Sequence, residues 1–340
     1  MENGGVKVKE FEFLSSNQYY MIHGKMWIPE RNILAVVQLS HGMSEHIDRY
    51  DEFARFLAQR NILVVGNDHM GHGSSINTED DLGYFSIPVK GISKSKRERY
   101  GGSHLAVQDL HKITRMVKKH YPGLPYVLFG HSMGSFLARR YMMEYGKELD
   151  AAILMGTGNQ PKAEIDFALL LCEFIALIKG ERHRSLLFHK LMFGSYNKRI
   201  RKPVSSHAWI TSDNEELRKY EEDEKCGFPF TMNGIRALMS TIRYVEEPKN
   251  IEKIPRELKV LVLSGAEDPV GDYGKQVKQV YGDYLKQGVE DISVKLYNGC
   301  RHELLNEKLK DIVYEDIYRW LDEHVIHPRT DKGWDSELEL

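Results

Sequence analysis

Gly130-His131-Ser132-Met133-Gly134 sets a serine between two glycines, each two residues away. A serine hydroxyl is a weak nucleophile at neutral pH. It needs a base to take its proton and a third group to hold that base. The glycines suit a sharp turn, because a Cβ at either position would collide with it. The pattern means little unless a strand precedes it and a helix follows. Here YVLF (126–129) is a continuous apolar run, and SFLARRYMM (135–143) reads as helix. The helix N-terminus behind Ser132 favours negative charge that develops there. The chemistry this arrangement suits is acyl transfer.

The order expected with such a turn is Ser, then Asp or Glu, then His. After the run LKVLVLSG (258–265) only His302, His324 and His327 remain. The last two lie at or past the end of the closing helix, where they would be poorly held. His302 follows ISVKLY (292–297) by the short loop Asn298-Gly299-Cys300-Arg301. That puts it at the carboxyl end of a strand, where sites of open α/β sheets gather. Asp268, just after LVLSG, is the expected partner that orients His302. Glu267 and Asp272 are nearby alternatives.

An acyl-transfer site also needs donors for the oxyanion. Met133, the residue after the serine, offers one backbone N–H, and Met43, at the end of LAVVQLSHGM, offers the second. Losing one such donor costs about 100- to 1,000-fold in rate. His41 and His46 flank that loop and are read as braces. DHMGHGS (68–74) is a second glycine-punctuated turn. His69 and His72 lack a cysteine or carboxylate set at ligand spacing, so no metal is expected.

These residues need elements to position them. Residues 8–27 read as a pair of strands. LAVVQLS, 62–66, YVLF, AAILMG (151–156), LKVLVLSG and ISVKLY read as further strands. Helices fall between them: Tyr50, Phe53, Phe56 and Leu57 share one face, as do Ala106, Leu110, Ile113 and Val117, and Val313, Ile317, Trp320 and Leu321 mark the closing helix. Residues 76–100 read as loop. Short apolar runs alternating with helices predict a mostly parallel sheet covered on both faces. The rhythm breaks at 157–245, which is helical without a clear strand. The expected division is a core of 1–156 and 246–327, a helical cap of 157–245, and a polar tail of 328–340.

Composition narrows the classes. The 340 residues are 41% hydrophobic and 28% charged, with a net charge of −2. That is ordinary for a globular chain and gives no reason to expect nucleic acid as a partner. Three widely spaced cysteines, Cys172, Cys226 and Cys300, suit a reducing compartment better than a disulfide framework. The N-terminus lacks a basic start and an apolar run. The run 167–178 is too short to span a bilayer. The expected location is the cytoplasm, with peripheral contact at a membrane left open.

HGMSEHIDRY (41–50), DHMGHGSS (68–75), GHSMGS (130–135), and GAEDPVG with GCRHELLNE (265–307) together resemble the monoacylglycerol lipase and lysophospholipase family of α/β-hydrolases. The likeness runs from about residue 8 to 325. WITSDNEELRKYEEDEKCGFPFT (209–231) is similar to the cap of bacterial members. The resemblance implies the α/β-hydrolase fold, hydrolysis of acylglycerol or lysophospholipid esters, no cofactor and no metal. It also implies Ser132, Asp268 and His302 as the triad, and the position after His-Gly, here Met43, as an oxyanion donor. Many members have a small residue there, so the methionine narrows the pocket. Epoxide hydrolases and dehalogenases would carry Asp at position 132.

FALLLCEFIALI (167–178) is apolar almost all round, as a buried helix would be. Leu169, Leu170, Phe174 and Leu177 are the expected acyl-chain contacts. Cap core or a lid facing a membrane are the other readings of this segment. Basic residues crowd 179–202, which suits either a solvated face or anionic headgroups. The expected substrate is a small lipid-like monoester. A short-chain carboxylesterase and a serine aminopeptidase are the alternatives. The latter would need an acidic pocket for the substrate ammonium, and Glu164, Asp166 and Glu173 sit in apolar surroundings. A complete Ser, Asp, His set argues against a non-enzymatic binder.

Overall fold

The computed structural model describes residues 5–85 and 102–328. Its centre is an eight-stranded sheet in the order β1-β2-β4-β3-β5-β6-β7-β8. The strands are β1 (Val6–Leu14), β2 (Met21–Pro29), β3 (Ala35–Ser40), β4 (Ile62–Asn67), β5 (Tyr126–His131), β6 (Ala151–Met155), β7 (Lys259–Gly265) and β8 (Ile292–Tyr297). The first two form an antiparallel hairpin, and β2 pairs antiparallel with β4. Every other pairing is parallel.

Burial follows composition. Strands β3 to β6 are buried at every position, which is why they read as unbroken apolar runs. The edge strand β1, VKVKEFEFL, carries Lys7, Lys9, Glu10 and Glu12 and is partly exposed. Charge on an edge deters pairing with other chains.

Helices cover both faces. On one side lie α1 (Asp51–Ala58), burying Phe53, Ala54 and Leu57, and the late helix at Lys310–Leu321, burying Val313, Ile317 and Trp320. On the other lie α2 (Gly102–His120), α3 (Met133–Tyr145) and the helix at Lys275–Lys286. The fold class expected from the sequence is the one observed.

Between β6 and β7 there is no strand. That interval holds α4 (Lys162–Lys179), α5 (Leu186–Phe193), α6 (Asn214–Glu222), α7 (Met232–Glu246) and α8 (Pro248–Ile251). The two helices numbered next are α9 (Lys275–Lys286) and α10 (Lys310–Leu321). α7 packs on α2 and α3 through Ile235, Leu238 and Ile242, which join the core of that face. The loop expected at 76–100 contains a short turn at Glu79–Asp81, and its part beyond residue 85 lies outside the described residues, as does most of the tail. No helix among the described residues is long and apolar enough to cross a membrane.

The sheet delivers its loops to one edge. β3, β5, β7 and β8 end together, with Ser40 opposite Gly130 and Gly265 opposite Tyr297. The space there is tight. A Cβ on Gly134 would lie 1.9 Å from the carbonyl oxygen of Ser40, and one on Gly130 would lie 2.3 Å from that of Gly134. We therefore expect Gly134→Ala to destabilise the fold by at least about 1–3 kcal/mol, the usual range for overpacking. A urea unfolding midpoint equal to the wild type would show that the helix does not start this close to the strand.

Candidate active site

Ser132 stands between β5 and α3 at φ 51° and ψ −119°, a region that non-glycine residues seldom occupy. Neighbouring strands hold it there. Its N–H donates to Met155 O at 2.9 Å, and the Ser135 hydroxyl donates to its carbonyl at 2.6 Å. The residue is half-buried and lines a cavity of about 1030 Å³.

Asp268 and His302 meet across the β7 and β8 loops. His302 Nδ1 lies 2.9 Å from Asp268 Oδ2. Asp268 is fully buried and further fixed by the Ser264 hydroxyl at 3.1 Å and the Val270 N–H at 2.9 Å. Of the alternatives, Glu267 faces solvent and Asp272 is half-exposed. His324 and His327 are bonded instead to Asp291 and Asp322. The His302 ring comes so close to β6 that a Cβ on Gly156 would sit 2.9 Å from its Cε1. It lies 4.9 Å from the ring of His131, the neighbour of Ser132. Burial alone would lower the His302 pKa, but the Asp268 charge and hydrogen bond outweigh it and raise the value above 6.5.

The loop after β3 closes the other side. A Cβ on Gly42 would lie 3.2 Å from Ser132 Cβ, so the 42–43 backbone runs against the serine. Met43 and Met133 both line the cavity. Met133 opens α3, where the first N–H groups have no partner within the helix.

A buried polar network joins these loops, and nothing in the sequence reading found it. Arg49 makes a forked pair with Glu303 at 2.7 and 2.6 Å and reaches Glu45 at 2.9 Å. Glu45 also accepts from the Tyr50 hydroxyl at 2.9 Å, contacts His131 Nδ1 at 3.1 Å and takes the Gly42 N–H. Burial would push the Glu45 carboxyl up, yet His131 and Arg49 hold it well below the usual range. Glu45, Arg49 and Tyr50 all lie within HGMSEHIDRY, but Glu303 is 254 residues from Arg49.

The other histidines pack together. The His41 and His69 rings are 4.3 Å apart, and His41 and His72 are 5.1 Å apart. His69 bonds Ser40, and its N–H donates to His41. Burial lowers all three, His72 to about 3, so they stay neutral. Among the described residues, one group has the residue types of a metal site: His46, Asp223 and Cys226, with ligand atoms within 4.8 Å of one another. His46 and Asp223 are already hydrogen-bonded at 2.8 Å, and burial pushes the Cys226 thiol up.

The acyl-chain wall expected from the sequence needs correction. Leu170, Phe174 and Leu177 are 67%, 60% and 85% exposed and do not line the cavity. Leu169 is only partly buried, against the core. α4 turns Ile165, Cys172 and Ala176 inward. Its cavity contacts come instead from Ile165, Phe167 and Ala168, joined by Phe188 and Leu191 from α5 and by Leu238, Met239 and Ile242 from α7. A helix apolar on both faces cannot reveal from periodicity which face is inside.

The raised pKa of His302 has two consequences. Its folded value exceeds the unfolded one, so its contribution to stability is fully present below about pH 6.5 and is lost as pH rises through the folded value. By NMR, we expect the His302 imidazole to titrate above 6.5 and, in Asp268→Asn, to fall below the wild-type midpoint. Equal midpoints in the two proteins would mean that Asp268 does not set the charge on His302.

The sequence matches the family described as serine aminopeptidase, S33, over residues 31–309. A monoglyceride lipase of Mus musculus is 31% identical over 307 residues, covering 88% of this chain and 86% of that protein. A monoglyceride lipase homolog of Monkeypox virus is 28% identical over 320 residues, covering 91% and 96%. Among solved structures, a thermostable carboxyl esterase from Bacillus coagulans superposes with a TM-score of 0.85 at 26% identity, covering 94% of this chain and 99% of that one. With four motifs meeting at one sheet edge, and with these relatives spanning nearly the whole chain, the protein belongs to the monoacylglycerol lipase family of α/β-hydrolases and is a carboxylic ester hydrolase.

Proposed function

We propose that the chain cleaves lipid-like monoesters, monoacylglycerols or lysophospholipids, through an acyl-enzyme on Ser132. The observation that carries this reading is His302, which is held by the buried Asp268 and lines the same cavity as the strained serine. His302 takes the Ser132 proton as the oxygen attacks the ester carbonyl. The Met43 and Met133 N–H groups receive the oxyanion. The imidazolium, steadied by Asp268, returns the proton to the leaving alkoxide. Water then repeats the cycle on the acyl-serine, releasing the fatty acid.

The cavity's apolar lining supports a chain-bearing substrate. Each CH₂ removed from water contributes about 0.8 kcal/mol. The outer face of the helical segment, a cap over residues 157–245 in this reading, has a different role. Leu170, Phe174, Leu177, Leu186 and Leu187 are exposed there, beside Lys179 and Lys190. Exposed apolar side chains with lysines near them in sequence suit transient contact with a lipid surface, from which the substrate enters. All three cysteines are free and buried, which supports a reducing compartment such as the cytoplasm.

Two measurements test the reading. Ser132→Ala, His302→Ala and Asp268→Asn should each fold and lose about 10⁴-fold or more in turnover, with effects that do not add. A panel of p-nitrophenyl esters, monoacylglycerols, lysophospholipids and aminoacyl-naphthylamides should show higher kcat/KM for chains of about eight carbons or more than for acetate or butyrate, since binding energy grows with each buried CH₂. Triacylglycerols should be poor substrates. Best turnover of butyrate would favour a short-chain esterase. Best turnover of aminoacyl substrates would favour an aminopeptidase, with Glu164 on the cavity wall as the group that meets the ammonium.

A further inference from the structure

The loop carrying His302 is fastened to the helical segment above it. Arg301 Nη1 donates to Ala208 O at 2.7 Å and to Thr211 O at 2.8 Å. The Glu303 N–H donates to Ile210 O at 2.8 Å. The Thr211 hydroxyl donates to Asn306 O at 2.8 Å. Glu307, itself buried, accepts the N–H of Arg301 and the N–H of Ser212, both at 2.8 Å, and the Ser212 hydroxyl at 2.5 Å. Six hydrogen bonds thus lock residues 208–212 onto residues 301–307, and the Arg301 N–H to Glu307 bond braces the latter segment from within. The same segment continues to the loop after β3, where the Gly227 N–H donates to Ser44 O and the Ser44 hydroxyl to Phe228 O.

In the middle of this clamp sits Trp209. Its ring centroid is 5.1 Å from that of His302, at an interplanar angle of 45°. Phe193 stacks near it at 6.2 Å, and Tyr196 meets it edge-on at 4.9 Å, so the indole is backed by two further rings. We propose that Trp209 is a positioning residue for the catalytic base: its indole backs the His302 imidazole, and the clamp between residues 208–212 and 301–307 holds the two rings together. On this view, residues 207–231 belong to the catalytic scaffold, not to a moving lid.

The physical role is twofold. The indole limits how far the His302 ring can turn on the side that it faces. Its π-face also lies near the imidazole where a positive charge forms during turnover, and a desolvated cation beside a Trp face is stabilised. Other groups set the charge on His302 as well. Asp268 from the β7 turn bonds it, Glu303 on its own loop and Glu45 from the β3 loop act through charge, and Arg49 pairs with both glutamates. His131 from the turn at Ser132 and Tyr196 beside Asp268 complete the surroundings. Of these groups only Tyr196 also packs on Trp209; Asp268, Glu303, Glu45, Arg49 and His131 are held by hydrogen bonds that do not involve it.

The inference rests on the Ser132–Asp268–His302 reading of the reaction but not on the lipid substrate. Its test therefore uses p-nitrophenyl acetate, with kcat and KM measured across pH. Trp209→Leu keeps the site apolar but removes the π-face. It should lower kcat about tenfold, change KM by less, and move the acid limb down by about half a pH unit, the scale of one cation–π contact. Trp209→Phe should restore most of both. Leu and Phe variants with equal losses, or a Leu variant with the wild-type kcat and limb, would overturn the role of the ring. If Trp209→Leu fails to fold, Ser212→Ala takes its place. Loss of its hydroxyl bond to Glu307 should lower kcat several-fold, and an unchanged kcat would overturn the clamp. A wild type lacking an acid limb that His302→Ala abolishes would remove the triad reading together with this one.

Discussion

From strand β5 to helix α3 the backbone turns through a space with no room for a side chain at Gly130 or Gly134. The carbonyls of Ser40 and Gly134 occupy the volumes those Cβ atoms would need. That crowding forces Ser132 to φ 51°, at a conformational cost of about 1–3 kcal/mol. The sheet supplies the compensation through the Ser132 N–H to Met155 O bond and the buried register of β3, β5 and β6. With the serine thrust out of the turn, the loops after β3, β7 and β8 bring their partners to it.

Those ends are loops, and loops need fastening. Arg49 fastens them with charge. Its fork on Glu303 and its bond to Glu45 tie the His302 loop to the loop of Gly42 and Met43, and Glu45 continues the tie to His131 beside Ser132. Removing one member of a buried ion pair typically costs about 3–5 kcal/mol, because its partner stays buried and uncompensated. A fixed network of this kind keeps donors and base in place before a substrate arrives, which is how preorganised electrostatics accelerates acyl transfer. The helical segment adds a second fastening through Arg301 and Glu307, so the parts above and below the cavity share one scaffold.

Much of this was legible in the chain. The glycines around Ser132 imply a turn, and the apolar runs before Ser40, Ser132, Asp268 and His302 imply strands whose ends converge. Order along the chain then left few acidic residues and one well-held histidine. Other features were hidden for physical reasons. The ion pair of Arg49 with Glu303 joins residues far apart in sequence, and each looks like an ordinary surface charge. Trp209 lies next to His302 only because the segment folds back over the sheet. On α4, both faces are apolar, one for packing and one exposed. Apolarity alone therefore put Leu170, Phe174 and Leu177 toward the substrate when they face outward.

The account depends most on Ser132 being the one nucleophile, activated where it stands. The direct measurement is reaction with a fluorophosphonate, followed by peptide mapping in a mass spectrometer. The account predicts a single adduct on the peptide containing Ser132, none in Ser132→Ala, and far slower labelling in His302→Ala. An adduct on a different residue, or labelling of Ser132→Ala at the wild-type rate, would contradict it.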